Sequence, residues 1–178
     1  MSSVKNKQTA TKQLQSPIGA YISAGAQFLM VILAFIPGFY VHEQWLHQTE
    51  YIASQRTSVP VDTLVSRSAH SLFDGVFNTY SLPMMVGFAL FAAMLCGTIC
   101  CVLRLIAKGD SQYKKPILAA SVFQSVLLAA YAVLVSLSDH TYLDTEDRYF
   151  PHAVCYVMAA ACITLIAVNL FGHRSKAD

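Results

Sequence analysis

The feature that most constrains this chain is a long uncharged run that ends at Arg104. The 29 residues between Asp74 and Arg104 include no Asp, Glu, Lys or Arg. A helix needs about 20 predominantly apolar residues to cross the roughly 30 Å hydrocarbon core of a bilayer. We therefore predict that residues 81–103 form a membrane-spanning helix.

Further uncharged runs predict three more spans, at residues 18–41, 116–138 and 150–171. The composition agrees, because 55% of the residues are hydrophobic and only 12% are charged, whereas about 25% are charged in a typical soluble domain. The predicted fold is all-α: a tetraspan, four-helix transmembrane bundle over residues 17–172.

The charged residues indicate how this bundle is oriented. The segments 1–16, 104–115 and 173–178 carry nine of the 12 basic residues, and the loops 42–80 and 139–149 carry eight of the ten acidic ones. Lys and Arg are concentrated in the cytoplasmic segments of membrane proteins. Both termini are therefore predicted to be cytoplasmic tails, the first of them mobile, and the two acidic loops are predicted to be outside.

The longer outer loop, residues 42–80, is predicted to be helical. Asp62 is a favourable N-cap. Apolar residues follow it at spacings of three and four, as in an amphipathic helix: Val65, Ala69, Leu72, Phe73, Val76 and Tyr80. The aromatic residues of the loop are candidates for contact with the membrane interface or with a partner protein: Trp45, Phe73, Phe77 and Tyr80.

Ridges of small residues follow two of the predicted spans. In the second span they are Ala89, Ala93, Gly97 and Cys101, and in the third they are Ser121, Ser125 and Ala129. Residues four apart lie on one face of a helix, and small residues let helices approach closely within a bilayer. We predict that the two ridges pack against each other.

Histidines near the outer face raise the question of a metal site. The weak candidates are His42, His47, His140 and His152. The sequence HEQWLH resembles the metalloprotease motif HExxH, but its histidines are five apart rather than four and would lie on different faces of a helix. Two interpretations stay open: interfacial histidines without a metal, which the lack of ligand spacing favours, and a metal site assembled by the fold.

The five cysteines all lie within predicted spans, which argues against a disulfide-linked outer domain. Cys100 and Cys101 lie one helical turn before Arg104 and are candidates for S-acylation; the alternative is that they are small packing residues. No cofactor is predicted, because the sequence has no glycine-rich phosphate-binding loop. No signal for nucleic-acid binding is found either. The basic residues flank the spans, where we expect them to contact anionic lipid headgroups.

The layout resembles that of claudin-like, MARVEL and other tetraspan proteins, with four spans, both termini inside and a longer first outer loop. The resemblance is one of architecture. The first loop of claudin-like proteins is β-rich and carries a W-GLW-C-C pattern, whereas this loop has Trp45 and no cysteine. Tetraspanins place a large cysteine-rich loop between spans three and four, where this chain has only residues 139–149.

These observations favour a non-catalytic membrane protein. We expect an accessory, scaffold or cell-surface interaction protein that packs against other membrane proteins, in hetero-complexes or homo-oligomers, in the plasma membrane rather than an internal one. The predicted spans contain no Asp, Glu, Lys or Arg, which argues against a pump or ion-coupled transporter. The alternatives are a small integral subunit of a membrane enzyme or channel complex, and a metal-dependent membrane enzyme that uses the outer histidines.

Overall fold

The computed structural model describes residues 18–52, 57–74, 82–107, 111–138, 140–142 and 144–171. Within these ranges the chain forms four long helices: α1 (Ile18–Leu33), α2 (Leu82–Ile106), α3 (Lys114–Ser136) and α4 (Ala153–Phe171). It also forms four strands: β1 (Tyr40–Ile52), β2 (Thr57–His70), β3 (His140–Tyr142) and β4 (Thr145–Pro151). A short 3-10 turn, Ser111–Tyr113, leads into α3.

The helices pack as a closed ring in which α1 contacts α2, α2 contacts α3, α3 contacts α4 and α4 returns to α1. The interior of the ring is mostly apolar but also contains buried polar side chains, and the outer surface is apolar as well. Gln27 and Gln124 are 1% and 0% exposed, whereas Met85 and Ile163 are 70% and 66% exposed. A soluble protein rarely leaves such large apolar surfaces in water, so this distribution is typical of a bundle surrounded by lipid.

Three of the helices, α2, α3 and α4, are long and apolar enough to cross a membrane. This confirms the predicted membrane character at these positions, within two or three residues at most ends. The first apolar helix is shorter, since the 16 residues of α1 extend only about 24 Å. It ends at Leu33 rather than near residue 41, because the chain turns through Gly38 (φ +108°) and enters β1 at Tyr40.

The chain is mostly helical, as predicted, but it is not all-α, and the described part of the loop 42–80 is mainly strand rather than helix. The segments before α2 and before α4 together form one antiparallel sheet with the strand order β2-β1-β4-β3. The central strand β1 pairs with β2 from Tyr40↔His70 to Ile52↔Thr57, and with β4 from Tyr40↔Pro151 to Leu46↔Thr145. Trp45 therefore lies in a strand and not in a helix.

A β-bulge in β2 explains why the helical spacing was misleading. Gln44 pairs with Ser66 and Trp45 pairs with Leu64, so Val65 is an extra residue on β2. A bulge interrupts the alternation of side chains that identifies a strand. The apolar residues beyond it consequently fall at spacings that also fit a helix.

The position of the helix N-cap in this segment also differs from the prediction. The helical turn in this segment begins after Ser71 and not at Asp62, which lies in β2. Ser71 and Asp74 form a reciprocal cap, with Ser71 N–H donating to Asp74 Oδ2 at 2.9 Å and Asp74 N–H donating to Ser71 Oγ at 3.2 Å. The part of the predicted loop helix at residues 75–80 lies outside the described residues.

Backbone hydrogen bonds join the sheet to the helices at one point. Phe39 N–H donates to the carbonyl of His70 at 2.8 Å, and His152 N–H donates to the carbonyl of Phe39 at 3.0 Å. Val154 N–H, in the first turn of α4, donates to the carbonyl of Gly38 at 3.1 Å. The end of α1, the end of β2 and the start of α4 are therefore held together, so the sheet is fixed against the bundle.

Candidate functional site

One face of the outer sheet carries most of its charge. We call it the charged face, and it consists of Glu43, Trp45, His47, Asp62, Arg67, Glu146 and Arg148. These residues share a face because side chains alternate along a strand, and the register brings them opposite one another on β1, β2 and β4. The interactions between them cross the strands and tie the two outer segments together.

His47 is the centre of the charged face. Its Nδ1 lies 2.7 Å from Asp62 Oδ1 on β2, and its Nε2 lies 3.0 Å from Glu146 Oε2 on β4. Both ring nitrogens donate only in the imidazolium form. The hydrogen bond with Asp62, followed by that with Glu146, raises the pKa of His47 above its ordinary value.

Glu146 also binds Arg148 through two hydrogen bonds. Arg148 Nε donates to Oε1 at 2.7 Å and its Nη2 donates to Oε2 at 2.8 Å. These hydrogen bonds, followed by the one from His47, lower the pKa of Glu146 to about 2. The Arg148 guanidinium also lies 5.6 Å from the centre of the Trp45 ring, within the range of a cation–π interaction.

A second pair completes the charged face. Arg67 Nε lies 3.3 Å from Glu43 Oε1, and Trp45 Nε1–H donates to Glu43 Oε2 at 3.2 Å. Glu43 thereby links β1 to the edge strand β2. The face is a set of oriented charges held by cross-strand contacts, and this suits it to binding a surface of complementary charge.

The opposite face of the sheet is aromatic. Tyr40 stacks on His70 with ring centres 4.9 Å apart, and His42 stacks on Tyr149 at 4.5 Å. His42 Nε2 lies 3.1 Å from Asp147 Oδ1. The stacked rings brace β1 against both of its neighbours, so we regard this face as structural support for the charged face.

A polar cluster lies inside the bundle at the end opposite the sheet. Arg104, in the last turn of α2, is only 2% exposed. Its Nη1 donates to Asn169 Oδ1 at 2.8 Å, and Asn169 Nδ2 donates to Ser23 Oγ at 3.2 Å and to the carbonyl of Leu165 at 2.7 Å. The cluster joins α1, α2 and α4, and it places a charged side chain where the sequence indicated only the end of a span.

A second buried polar group surrounds Gly97 near the middle of α2. Gln27 on α1 donates to the carbonyl of Met94 at 3.0 Å, and Gln124 on α3 donates to the carbonyl of Ala93 at 2.8 Å. A Cβ at Gly97 would lie 2.6 Å from Gln124 Nε2 and 2.7 Å from Gln27 Nε2. The glycine therefore gives two side-chain amides access to the α2 backbone.

The two predicted small-residue ridges differ in burial and in the helices that they face. On α2, Ala93, Gly97 and Cys101 are buried and Ala89 is partly buried; on α3, Ser121 is buried, Ser125 is partly buried and Ala129 is exposed. Helices α2 and α3 do pack together. However, Ser125 and Ala129 line a groove towards α4 rather than towards α2.

That groove lies between α3 and α4 and has a volume of about 540 Å³. Its walls are almost entirely apolar and include several small residues: Ser125, Ala129, Ala132, Ser136, Cys155, Ala159 and Cys162. The groove is open along one side, where the bundle surface is apolar. Its chemistry suits an apolar chain or helix and not a polar substrate.

The aromatic residues of the loop, which were predicted as contact residues, also lie in different environments. Trp45 is part of the charged face. Phe73 instead packs against the bundle, with its ring stacked on Phe35 at 4.5 Å and edge-to-face with Phe91 at 4.7 Å. Phe77 and Tyr80 lie outside the described residues.

The four candidate metal histidines are found in different environments. His42 and His47 lie on opposite faces of β1, each engaged with carboxylates, whereas His152 lies between β4 and α4. His140 lies in β3. Among the described residues, no group of three His, Cys, Asp or Glu side chains is arranged to hold a metal ion.

The two cysteines considered for S-acylation differ in access. Cys101 is 1% exposed and packs with Ala24 and Ile117, whereas Cys100 is partly exposed at the edge of that cluster. Of the pair, only Cys100 has a thiol near the surface. The acylation of Cys100 stays a prediction.

Comparison of the chain with protein-family models and with curated proteins finds no match. The features that sequence reasoning missed are the charged face and the burial of Arg104. No alternation of charged and apolar residues along β1 indicated the first, because both of its faces mix polar and apolar side chains. The burial of Arg104 had one signal in the sequence. Polar residues occur in the other three predicted spans, including Gln27, Gln124 and Asn169.

Proposed function

We propose that this chain is a non-catalytic, four-pass integral membrane protein with cytoplasmic termini, and that its outer sheet binds other membrane proteins. The observation that carries the proposal is the union of both outer segments in one sheet that is fixed to the bundle. Such a sheet presents the charged face and the exposed edge strand β2 in a constant orientation. Pre-organised surfaces bind with a smaller loss of conformational entropy.

Support for four passes comes from the bundle itself. α1 contacts both α2 and α4, which are long enough to span, and residues beyond its end remain apolar and exposed, including Phe35 and Ile36. A span shorter than the hydrocarbon core is accommodated by local thinning of the bilayer. The basic residues at the opposite end from the sheet support cytoplasmic termini.

The edge strand β2 supplies the proposed contact. An edge strand leaves one row of backbone donors and acceptors unpaired and can add a strand from a partner. Along β2 the side chains of Leu64, Val65 and Arg67 are 41%, 56% and 55% exposed. A mixed apolar and charged edge of this kind fits the outer domain of a partner membrane protein or of a second copy.

The sheet also strengthens the architectural resemblance to claudin-like proteins, whose first loops are β-rich. The loop cysteines of that group are missing here. In this chain, the cross-strand ion pairs of the charged face and the stacked rings behind it hold the sheet. This resemblance supports a role in cell-surface contact or assembly at the plasma membrane.

Native mass spectrometry of gently solubilised protein tests the proposal. We expect the wild type to be recovered with a partner membrane protein or as a homo-oligomer. Leu64→Asp, which adds charge to the exposed edge, should reduce that recovery without lowering the thermal stability. Thr49→Asp, an exposed position near the far end of β1, is the matched control. A wild type recovered only as a monomer without any partner would contradict the proposal.

An integral subunit of a membrane enzyme or channel complex is the second candidate, and the groove between α3 and α4 favours it. Small residues on both walls allow the close approach of a transmembrane helix. Ala159→Leu would fill the groove. We expect it to release a partner that docks there while leaving partners of the outer sheet bound, so the same mass measurement separates the two candidates.

A further inference from the structure

We infer that the inner end of the bundle contains a specific site for the phosphate of an anionic phospholipid, in which the Arg104 guanidinium is the principal ligand. This site is distinct from the outer sheet. It rests on the proposed orientation of the chain only in that the headgroup comes from the cytoplasmic leaflet.

The first step is the state of the Arg104 guanidinium. It is 2% exposed, and its Nε–H is buried without an acceptor among the described residues. Its Nη1 is engaged with Asn169 Oδ1 at 2.8 Å. The edge formed by Nε and Nη2 is therefore the one left for a ligand. That edge is the geometry by which arginine binds a phosphate or carboxylate through two parallel hydrogen bonds.

The second step is charge. Arginine stays protonated in proteins, and a buried charge without a counter-ion is strongly unfavourable. Asn169 is a neutral acceptor and does not neutralise it. No salt bridge joins Arg104 to an acidic group among the described residues, whose carboxylates belong to the opposite end of the molecule. Lys114, at the start of α3, adds a second positive charge that acts on Arg104.

The third step is access. At the start of α1, a Cβ on Gly19 would lie 4.0 Å from Arg104 Nη2 and 3.6 Å from Val168 Cγ1. A methyl group would fit there in ordinary contact, so Gly19 leaves about that much room beside Nη2, whereas the longer branches of a valine would reach the guanidinium. Lys115 is exposed near the same end. A headgroup phosphate at this level meets the guanidinium edge and the lysines, whereas the choline of a zwitterionic lipid would be repelled.

Titration of the purified wild type with phosphatidylglycerol and with phosphatidylcholine, read by native mass spectrometry, is the direct test. We expect one phosphatidylglycerol to be retained about tenfold more tightly than phosphatidylcholine, because both offer a phosphate to Arg104 but only the choline cation is repelled by the basic residues around it. Arg104→Gln should remove this preference, and Lys115→Gln should weaken it by less, because Lys115 supplies only a neighbouring charge. Equal retention of the two lipids by the wild type would rule out the lipid as the source of the phosphate, whether or not any variant folds.

Two further variants separate a bound phosphate from a purely structural arginine. Arg104→Lys keeps the charge but cannot form the two parallel hydrogen bonds of a guanidinium. We therefore expect this variant to fold and to bind phosphatidylglycerol more weakly. Gly19→Val should crowd Nη2 and weaken binding while Arg104 stays in place. Unchanged lipid preference in both would show that the guanidinium edge is not the ligand.

The source of the phosphate is resolved by adding inorganic phosphate to lipid-free protein in a neutral detergent. An Arg104-dependent rise in melting temperature, without a preference for phosphatidylglycerol, would support the phosphate site with a free anion as its ligand. No effect of either probe would overturn the inference. Partner recovery by the outer sheet is measured independently, so a failure here leaves the proposed function standing, and the reverse also holds.

Discussion

At the scale of single residues, Gly97 decides how closely three helices approach. Its missing side chain leaves room for Gln27 and Gln124 to reach the carbonyls of Met94 and Ala93. Hydrogen bonds between membrane helices contribute about 0.6 kcal/mol each on average. Close packing and two polar contacts therefore depend on one glycine.

Gly97→Leu is expected to destabilise the bundle. The new side chain would displace both glutamine amides, which adds the cost of overpacking, about 1–3 kcal/mol, to the loss of two hydrogen bonds. Leu95→Ala is the control, because Leu95 is 42% exposed on the apolar surface. Thermal unfolding in detergent measures the difference, and equal melting temperatures for the two variants would show that the ridge is not a packing surface.

His47 is the residue through which pH acts on the sheet. Its pKa is raised in the folded protein, so its contribution to stability is complete below the unfolded value near 6.5 and is lost as pH rises through the raised pKa. The stability contribution of Glu146 depends on pH in the opposite direction. Its pKa is lowered to about 2, so its contribution is present above the unfolded value near 4.5 and is lost as pH falls towards 2.

We therefore expect the sheet to be most stable between about pH 4.5 and 6.5, and less stable towards pH 8. His47→Gln should remove the decrease that begins above about pH 6.5. The exposed Glu50→Gln in the same strand should retain it. Hydrogen exchange of the strand amides across this pH range is the measurement, and a profile that His47→Gln leaves unchanged would argue against the assignment.

At the scale of elements, the sheet depends on β1, which is paired on both sides. Pro60 occurs in the edge strand β2, where a missing N–H is tolerated on the side without a neighbour. Between Tyr40 and Leu46 a proline in β1 has no such position, because there the strand is paired with β2 on one side and with β4 on the other. The order of the strands thus predicts different tolerances in β1 and β2.

Gln44→Pro should disrupt the sheet, at a cost of about 1–3 kcal/mol for each backbone group left unpaired. Ser58→Pro is the matched variant, since Ser58 is exposed and lies two residues before Pro60, on the same side of β2. Limited proteolysis of the two purified variants reports the outcome. Rapid cleavage of both in the outer segments, or of neither, would contradict the strand order.

At the scale of the whole molecule, the bundle differs from a soluble protein in its surface, because apolar side chains form most of the interior and also cover the outside. Polar side chains such as Arg104 and Asn169 satisfy one another inside, while apolar side chains cover the outside. The sheet, with its carboxylates, is at one end and the lysines Lys114 and Lys115 are at the other. This polarity along the bundle axis is what relates the fold to the two sides of a membrane.

The proposed four-pass topology can be tested with a membrane-impermeant maleimide on intact cells. With the native cysteines replaced, Ser58→Cys in the outer sheet should be labelled without permeabilisation. Ser2→Cys should be labelled only after permeabilisation, because the N-terminal tail is proposed to be cytoplasmic. Labelling of both on intact cells would mean that α1 does not cross the bilayer.

The sequence by itself determined the membrane character, the positions of α2, α3 and α4, and the separation of basic from acidic segments. These follow from local composition, because burial of about 20 apolar residues in lipid needs no partner segment. The outer sheet could not be obtained in this way. Its strands are stabilised by pairing with residues about a hundred positions away, as Trp45 pairs with Glu146, and the bulge at Val65 obscured the local alternation.

Only the tertiary structure decided which polar residues act together. Arg104 looks like the charged end of a span in the sequence, yet contacts with α1 and α4 enclose it. His42 and His47 suggest a common metal site, yet β1 places them on opposite faces. The physical reason is the same in both cases: local spacing defines a face of one element, while the neighbouring elements determine what that face meets.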